Sequence, residues 1–308
     1  MNVRPSQRRD VDSIVERVQQ RLAKDAQVNP LLNPSFSIDV LSDALSYALG
    51  QTWVATKGDE IVGHLYGALL ASTEYDNGAW IGPDGVSFDD SDVLADLYAE
   101  AATTWIDQDA VEHYVWVLDT PEDTSPWYEL GFARMNLRGV LALDALRHHT
   151  LAPGYVIRRG GPGDLDVAIE LDRVLDEAQQ RGPSFSLFVD HLSRPEELLE
   201  ALEDDEVHHY VVDYVGESVA QCLTFPLETR RGSFDKSLHV SAVAVRPEHE
   251  HRGVATALID HALNHALEAG FHYAEVNWRV TNRRAGKFWR RYGFSPTYVR
   301  LHRTIGTS

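Results

Sequence analysis

The sequence LHVSAVAVRPEHEHRGVATALIDHAL, residues Leu238–Leu263, changes its pattern twice within one short segment. Its first part, Leu238–Val245, is apolar at nearly every position, which predicts a strand that is buried on both faces. Its middle part, Arg246–Gly253, is a polar turn that ends in a single glycine. Its last part places apolar residues at helical spacing, which predicts an amphipathic helix. The segment therefore predicts a strand–turn–helix unit of an α/β fold.

The junction between this turn and its helix has the composition of an anion site. The first N–H groups of a helix have no partner within the helix, and the helix dipole places partial positive charge there. Gly253 allows a close approach of the backbone, and Arg252 adds a positive charge. These features predict that the start of the helix binds phosphate.

The element order around this unit occurs twice along the chain. Residues Val3–Ile14 and Ile157–Ala168 align without gaps at an offset of 154 residues, and each predicts a strand, an aspartate N-cap and a helix. A hairpin pattern follows in both copies, at Trp53–Gly63 and Tyr210–Ala220. Each copy ends with a Gly-Phe pair that opens a strand, namely Gly131-Phe132 and Gly293-Phe294.

The polar segment Asp144–Gly154 separates the two copies. We therefore predict two domains, residues 1–146 and residues 147–308. A chain of 308 residues is long enough to form two hydrophobic cores of ordinary size. Both copies repeat the same order of strands and helices, so both are predicted to be α/β domains.

The composition describes a globular protein and excludes several classes of partner. Hydrophobic residues make up 44% of the chain, and the formal net charge is −19. Because that charge repels nucleic acid and anionic membranes, we predict neither as a partner, whereas a cationic amine is compatible with it. A charge that only keeps the protein in solution explains the composition equally well. Cys222 is the only cysteine, which excludes an intrachain disulfide, and its apolar strand indicates a buried small residue. No apolar run suits a membrane span or a signal peptide, so the predicted location is cytoplasmic.

Two motifs in the second copy resemble the signatures of the GNAT superfamily of N-acetyltransferases. Val245–Ala255 resembles V-x-P followed by Q/R-x-x-G-x-G/A, and Asn282–Phe294 resembles N-x-x-A-x-x-F-Y-x-x-x-G-F. The element order of both copies also matches the family. The resemblance implies a tandem GNAT acyltransferase that uses acetyl-CoA as co-substrate. Each copy would then have a mixed, largely antiparallel central sheet flanked by helices.

The resemblance also implies roles for individual residues of the second copy. The strand Val243-Ala244-Val245 would pair with the pantetheine arm, and its backbone N–H groups would stabilise the developing oxyanion. Asn282 and Phe288 would contact the cofactor from a later helix. The N–H groups that would hold the pyrophosphate belong to His251, Arg252, Gly253, Val254, Ala255 and Thr256.

Two positions depart from the family pattern. Glu250 opens the turn where the family prefers Gln or Arg, although this position contributes mainly its backbone N–H group. Trp289 stands where many members have a Tyr that protonates the departing thiolate, and an indole N–H cannot serve as that acid. Water, Tyr292 or another residue has to act instead, so the general acid stays unassigned.

A candidate base lies on the strand before the turn. Amine acetylation needs a free amine, so a group that titrates near neutral pH should lie close to the acyl carbon. The resemblance places such a group at His239, and Ser241 follows on the same face, where it can orient a water molecule. The alternative for His239 is a packed histidine with a structural hydrogen bond.

Other candidate sites have weaker patterns. His261 and His265 have the i, i+4 spacing of two zinc ligands, but the Glu of that motif and a third ligand are missing, so we predict no metal. The resemblance places part of the acceptor pocket at Phe185, Phe188 and His191. Core packing explains the two aromatic residues equally well.

The first copy lacks the predicted phosphate-binding turn. Its equivalent segment carries Asp89, Asp90 and Asp92 at the helix start, where carboxylates compete for the site of a pyrophosphate. We therefore predict that the first copy keeps the fold without the cofactor. Its role would be to cover the second copy, to shape the acceptor cleft or to make a homodimer contact.

The predicted function is direct transfer of an acetyl group from acetyl-CoA to the amine of an unidentified small-molecule or peptide acceptor, catalysed by the second copy. One alternative is a non-catalytic acyl-CoA-binding or sensor protein, which the missing Tyr favours. Another alternative keeps the chemistry but acts on the amine of a sugar conjugate, like the mycothiol-forming acetyltransferases, which are tandem members of the superfamily.

Overall fold

The computed structural model describes residues 1–33, 38–70, 77–145, 147–185, 195–227 and 234–306. Backbone contacts divide the chain into two compact units. Within the described residues, unit 1 comprises Met1–Leu137 and Pro296–Ser308, and unit 2 comprises Arg138–Arg230 and Phe234–Ser295.

The described part of unit 1 contains four helices, which are α1 (Val11–Val28), α2 (Ile38–Tyr47), α3 (Ser91–Ile106) and α4 (Pro121–Glu129). Its strands are β1 (Asn2–Pro5), β2 (Thr52–Lys57), β3 (Glu60–Tyr66), β4 (Ala68–Leu70), β5 (Gly78–Ile81), β6 (Val86–Phe88), β7 (Glu112–Leu118) and the first half of β8 (Ala133–Ala142), together with the last strand of the chain. Four of them form an antiparallel sheet in the order β1-β2-β3-β6.

The described part of unit 2 contains α5 (Leu165–Gln180), α6 (Pro195–Glu203), α7 (Val254–Glu268) and α8 (Arg283–Tyr292). Its strands are β9 (Tyr155–Arg159), β10 (His208–Tyr214), β11 (Glu217–Pro226), β12 (Ser237–Val245) and β13 (Tyr273–Arg279). They lie in the order β9-β10-β11-β12-β13, and only the last pair, β12 with β13, is parallel. This is the mixed, largely antiparallel sheet that the resemblance implied.

Both units anchor their first helix to their first strand in the same way. Arg4 pairs with Asp10, with Nη1 and Oδ2 2.6 Å apart, and Arg158 pairs with Asp164, with Nη2 and Oδ1 2.7 Å apart. Each aspartate also accepts a hydrogen bond from the backbone N–H three residues earlier. These pairs are equivalent at the offset read from the sequence, so the structure confirms the repeat.

The final strands of the two copies do not lie where the predicted domain bounds put them. The last strand, β14 (Ser295–Thr304), pairs antiparallel with β7 in unit 1, from Tyr298–Leu118 to Thr304–Glu112. The second half of β8, from Arg138 onward, belongs to unit 2. The predicted bounds 1–146 and 147–308 therefore differ from the compact units. Both strands follow a Gly-Phe pair with a similar pattern, so the sequence does not show which copy each strand completes.

Buried apolar residues of unit 2 pack against one face of β12. Leu238 and Val240 of β12 are buried, as are Leu258 and Ile259 of α7, the helix that packs on the strand. Cys222 of β11 is fully buried, and burial raises the pKa of its thiol. The interpretation of Cys222 as a buried small residue is confirmed.

Candidate active site

Strands β12 and β13, the last two strands of the order β9-β10-β11-β12-β13, pair over only part of their length. Their parallel pairing runs from Ser237–Tyr273 to Val240–Val276, and both strands continue past it, to Val245 and Arg279. The separation opens a gap whose edges carry backbone N–H and C=O groups without a ladder partner across it. An extended molecule with amide groups can pair with such an edge. The predicted cofactor strand, Val243-Ala244-Val245, forms one side of this gap.

A bulge in β12 lies where the gap begins. Ala242 has a φ of +48°, in the left-handed region, and the register with β11 shifts between the pairs Leu223–Ser241 and Gln221–Ala244. A left-handed conformation costs a non-glycine residue about 1 kcal/mol, and bulges of this kind redirect backbone groups beside functional sites. The predicted oxyanion-binding backbone around Val243 follows the bulge directly.

The turn before α7 combines two left-handed residues with a helix start that no side chain caps. His251 has a φ of +60°, and Gly253, the N-cap of α7, has a φ of +80°. The first turn of α7 contains no acidic residue. Left-handed residues alternating with right-handed ones point successive N–H groups at one place, and the helix dipole adds positive potential there. The backbone from His251 to Thr256 thus has the geometry of an anion site.

Ion pairs hold this turn at its first residue and near its middle. Arg246 pairs with Glu170 of α5 at 2.8 Å and donates from Nε to the carbonyl oxygen of Ser218 at 2.9 Å. Glu250, the departure from the family pattern, forms an ion pair with Arg284 of α8. The arginine offsets the charge that Glu250 would otherwise bring to a phosphate site.

His149 contacts the turn from a distant part of the sequence. Its ring lies against Gly253, with Cδ2 2.9 Å from the position that a Cβ on Gly253 would take. The segment before it is held on α7, because the N–H of Arg147 donates to Asn264 Oδ1 at 2.9 Å and Asn264 Nδ2 donates to the Arg147 carbonyl at 2.6 Å. Sequence patterns did not reveal this contact, since it joins segments that are far apart in the chain.

Helix α8 lies at the C-terminal end of β13 and places two predicted cofactor residues. Asn282 is its N-cap, and its side chain accepts a hydrogen bond from the N–H of Ala285 at 3.0 Å. Phe288 is half-buried, with its ring centroid 4.9 Å from that of Trp289. Trp289 itself is buried in edge contact with Phe294 at 5.2 Å. The indole therefore packs in the core of the unit.

Tyr292 is committed to a hydrogen bond within the protein. Its hydroxyl donates to Asp260 Oδ1 at 2.6 Å, and Asp260 is buried. Burial, together with this carboxylate, raises the pKa of Tyr292 far above its ordinary value. The phenol proton is thus directed at Asp260, and a transfer to a thiolate would first have to break this hydrogen bond.

The candidate base and its neighbour lie on one face of β12. The side chains of His239 and Ser241 are both half-buried. The ring of His239 lies 5.2 Å from that of Phe225, between centroids, and its register partner on β13 is Glu275. Glu275 is buried and lies 3.8 Å from Arg138.

Asp172 of α5 is a titratable group that sequence reasoning missed. Helix α5 packs on β11 and β12, and Gln221 Nε2 donates to Asp172 Oδ1 at 2.8 Å. Burial, with a smaller contribution from the Asp176 carboxylate, raises the pKa of Asp172 to about 7. The signal in the sequence is a pair of aspartates on the face of an amphipathic helix that is otherwise apolar.

The remaining sequence signals find no site among the described residues. In that part of the chain, no group of His, Cys, Asp and Glu side chains is arranged to hold a metal ion. His265 instead shares a hydrogen bond with the hydroxyl of Tyr210 at 2.8 Å. Phe185 is 74% exposed, whereas Phe188 and His191 lie outside the described residues. A helix that could cross a bilayer does not occur in the described ranges.

Comparison with known proteins identifies unit 2. Residues 172–294 match the acetyltransferase (GNAT) family and thus form an acyltransferase domain of that family. This segment contains the gap, the bulge, the turn before α7 and the start of α8. No curated protein sequence matches the chain.

The whole chain is similar in fold to solved GNAT structures. A GCN5-related N-acetyltransferase from Sphaerobacter thermophilus has 17% identity and a TM-score of 0.63, with 100% of this chain and 96% of that chain covered. A tandem GNAT protein from the clavulanic acid biosynthesis pathway, solved without AcCoA, has 17% identity and a TM-score of 0.55, with 100% and 99% covered. A GCN5-related N-acetyltransferase from Kribbella flavida has 12% identity and a TM-score of 0.52, with 80% and 88% covered. These structures show that the chain has the tandem GNAT fold.

Proposed function

We propose that unit 2 is an acetyl-CoA-dependent N-acetyltransferase that moves an acetyl group directly to the amine of an acceptor. The observation that carries the proposal is the uncapped, left-handed start of α7 beside the gap between β12 and β13. Acetyl-CoA has a pyrophosphate and a pantetheine arm with two amide groups. An anion site next to an open strand edge suits these two parts in turn.

The donor would lie along the open edge of β12 and the turn before α7. The amide groups of the arm would pair with the open edge of Val243-Ala244-Val245, and the pyrophosphate would accept hydrogen bonds from the backbone between His251 and Thr256. His149, whose ring lies on Gly253, is placed to donate one more hydrogen bond to a phosphate oxygen. Asn282 and Phe288 would line the arm from α8.

The transfer step would use the backbone of β12 and the side chains beside it. The amine nitrogen attacks the thioester carbonyl, and N–H groups after the bulge at Ala242 stabilise the negative oxygen that forms. His239 would remove a proton from the nitrogen through a water held by Ser241. The C–S bond then breaks, and the thiolate takes its proton from water. Thiols are far stronger acids than amines or alcohols, with a pKa of about 8.5 for the thiol of cysteine, so a thiolate is a competent leaving group without an acid from the protein.

A second candidate function is an acyl-CoA sensor that binds the donor without transfer. The absence of a Tyr at Trp289 and the hydrogen bond of Tyr292 to Asp260 favour it, since neither residue supplies an acid. In the mycothiol-like alternative the protein is also a transferase, but its acceptor is the amine of a sugar conjugate.

The test is an assay of thiol release from acetyl-CoA with primary alkylamines, a polyamine, an amino sugar and a lysine peptide as acceptors. The Ala255→Asp variant is the control, because a carboxylate in the first turn of α7 favours the helix but opposes a pyrophosphate. Release that depends on an amine and is lost in Ala255→Asp supports the transferase. Binding of acetyl-CoA without release on any amine supports the sensor.

A further inference from the structure

The first helices of the two units differ on the face that packs against the sheet. Helices α1 and α5 begin at equivalent residues, Val11 and Leu165, in the alignment at the offset of 154 residues. In α1 this face includes Val18 and Leu22, which are both buried in the core. Their equivalents in α5 are Asp172 and Asp176. Unit 2 therefore has two carboxylates where unit 1 has part of its core.

Buried polar side chains hold Asp172 in place. Gln221 is fully buried, and its Nε2 donates both to Asp172 Oδ1 at 2.8 Å and to the carbonyl oxygen of Ala168 at 3.2 Å. Its Oε1 lies 3.1 Å from Nε2 of His209, which is also buried. Because burial lowers the pKa of His209, the ring is neutral and donates from Nε2. Burying an amide and an imidazole is costly, and here both serve to orient one carboxylate.

The residue that binds Asp172 lies close to the bulge of β12. The register partner of Gln221 on β12 is Ala244, two residues after the bulge at Ala242. Asp172, which Gln221 holds, thus lies over β11 and β12 where the gap opens. The side chains of His239 and Ser241 lie on β12 just before the bulge, on the face that carries Gln221 on β11.

We propose that Asp172 binds the acceptor as an alkylammonium ion and takes its first proton. This inference rests on the proposed function and names the acceptor class of the same site. It assigns Asp172 to contact with the substrate, with Asp176 as a positioning residue that acts through the charge of Asp172.

An alkylammonium acceptor loses two protons from its nitrogen during the transfer. The N–H bond of the ammonium ion breaks, and its proton forms an O–H bond on Asp172, which leaves a neutral amine with a free electron pair. The pair forms the C–N bond, and the adduct loses a second proton from nitrogen to His239 through water. The C–S electron pair leaves with CoA. Asp172 and His239 then release their two protons to solvent. The thiolate takes up one proton from solvent.

The surroundings of Asp172 suit a group that exchanges a proton near neutral pH. Asp176 lies one helical turn away, and its own pKa is raised by burial. The groups that face Asp172 from the sheet are Gln221 on β11 and, through it, the neutral His209 on β10. His239 and Ser241 share that face on β12, and the glutamates of α6 are exposed. The described structure pairs no cation with Asp172, so an ammonium ion would be its counter-ion.

The test compares two matched probes, ethylamine and 2,2,2-trifluoroethylamine. At pH 7 the first is an ammonium ion, while fluorine makes the second a largely neutral amine. Rates of thiol release are measured for the wild-type protein, Asp172→Asn, Asp176→Asn and the control Asp166→Asn, which removes an exposed charge from the same helix. We expect Asp172→Asn to lower kcat/KM for ethylamine by about 100-fold and for trifluoroethylamine by less than about threefold.

The Asp176→Asn variant tests the role assigned to the second carboxylate. Removing its charge lowers the pKa of Asp172, so the acid limb of kcat/KM for ethylamine should move to lower pH. An equal loss of activity on both amines in Asp172→Asn would show a merely structural role and overturn the proposal. Transfer to trifluoroethylamine but not to ethylamine by wild-type protein would overturn it as well. A wild-type protein that does not bind acetyl-CoA would instead contradict the proposed function.

Discussion

Helices α3 and α7 hold equivalent places in units 1 and 2, yet their first turns differ in charge and hydrogen bonding. The N-cap of α3 is Asp90, whose side chain accepts a hydrogen bond from the N–H of Val93 at 2.9 Å, and Asp92 follows in the first turn. The N-cap of α7 is Gly253, and Ala255 stands at the position of Asp92. Unit 1 thus satisfies its helix start with its own carboxylates, whereas unit 2 leaves its N–H groups available.

The strand before each of these helices also differs in how its backbone groups are hydrogen-bonded. In unit 1 the equivalent of β12 is interrupted, since β5 pairs with β7, β6 pairs with β3, and a turn at Gly82–Gly85 lies between them. The turn bonds to its own unit, because the N–H of Tyr66 donates to the Gly85 carbonyl at 2.6 Å. The buried ring of His64 lies 3.1 Å from the Asp84 carbonyl oxygen. The backbone that unit 2 leaves open is used internally in unit 1.

The features that both units share are structural. Trp127 of α4 is the equivalent of Trp289, and each packs edge-on against the Phe five residues later, at 5.0 Å and 5.2 Å. Thr120 and Asn282 likewise cap equivalent helices. Because unit 1 lacks the phosphate turn but keeps the tryptophan, the role that the two units share at this position is core packing.

The largest expected effect concerns this tryptophan pair. Trp127→Ala and Trp289→Ala should each lower the free energy of unfolding by about 3–5 kcal/mol, because each leaves a large cavity. Denaturant unfolding followed by circular dichroism measures both. Trp289→Tyr should leave the transfer rate unchanged or lower. A rise in rate on introducing Tyr would show that an acid is missing at this position.

The next prediction concerns the positions at which α1 has apolar residues and α5 has aspartates. Val18→Asp places an unpaired carboxylate in the core of unit 1 and should cost about 3 kcal/mol. The converse change, Asp172→Val, should alter the stability of the fold by less than about 1 kcal/mol, since Val occupies the equivalent place in α1. Thermal unfolding of both variants decides the matter. Equal losses would mean that Asp172 is as much a structural residue as Val18.

The comparison also explains what the sequence predicted and what it did not. The apolar strand Leu238–Val245, the turn ending at Gly253 and the offset repeat were predictable, because each is a local pattern of period or punctuation. The pairing of β14 with β7 and the contact of His149 with Gly253 were not predictable. Both depend on which distant segments of the chain meet. Asp172 was missed because it lies on a helix and its partner, Gln221, lies on a strand that is distant in the sequence.

The pH dependence of stability gives a smaller effect. A pKa raised to about 7 means that the folded protein binds a proton on Asp172 more tightly than the unfolded chain does. Wild-type stability should therefore fall as pH rises from about 4 toward 7. Asp172→Asn should be more stable than wild type at pH 8, by on the order of 1 kcal/mol, and equal to it at pH 4. Melting temperatures at both pH values test this, and an unchanged difference would contradict it.

The smallest effect concerns the two N-cap residues Thr120 and Asn282, of which only Asn282 is proposed to contact acetyl-CoA. Thr120→Ala and Asn282→Ala should each cost about 1 kcal/mol of stability, as the loss of an N-cap does. Only Asn282→Ala should also weaken acetyl-CoA binding, by roughly fivefold, about one lost hydrogen bond. If both variants left the affinity unchanged, Asn282 would be a cap alone.

The central claim is that one donor site exists and that it lies at the start of α7. Calorimetric titration of acetyl-CoA into the wild-type protein, Ala255→Asp and Asp92→Ala tests it most directly. We predict one site per chain in the wild type and in Asp92→Ala, and affinity lower by roughly 100-fold or more in Ala255→Asp, as expected for the loss of charge-assisted hydrogen bonds. Two sites per chain, or unchanged affinity in Ala255→Asp, would contradict the account.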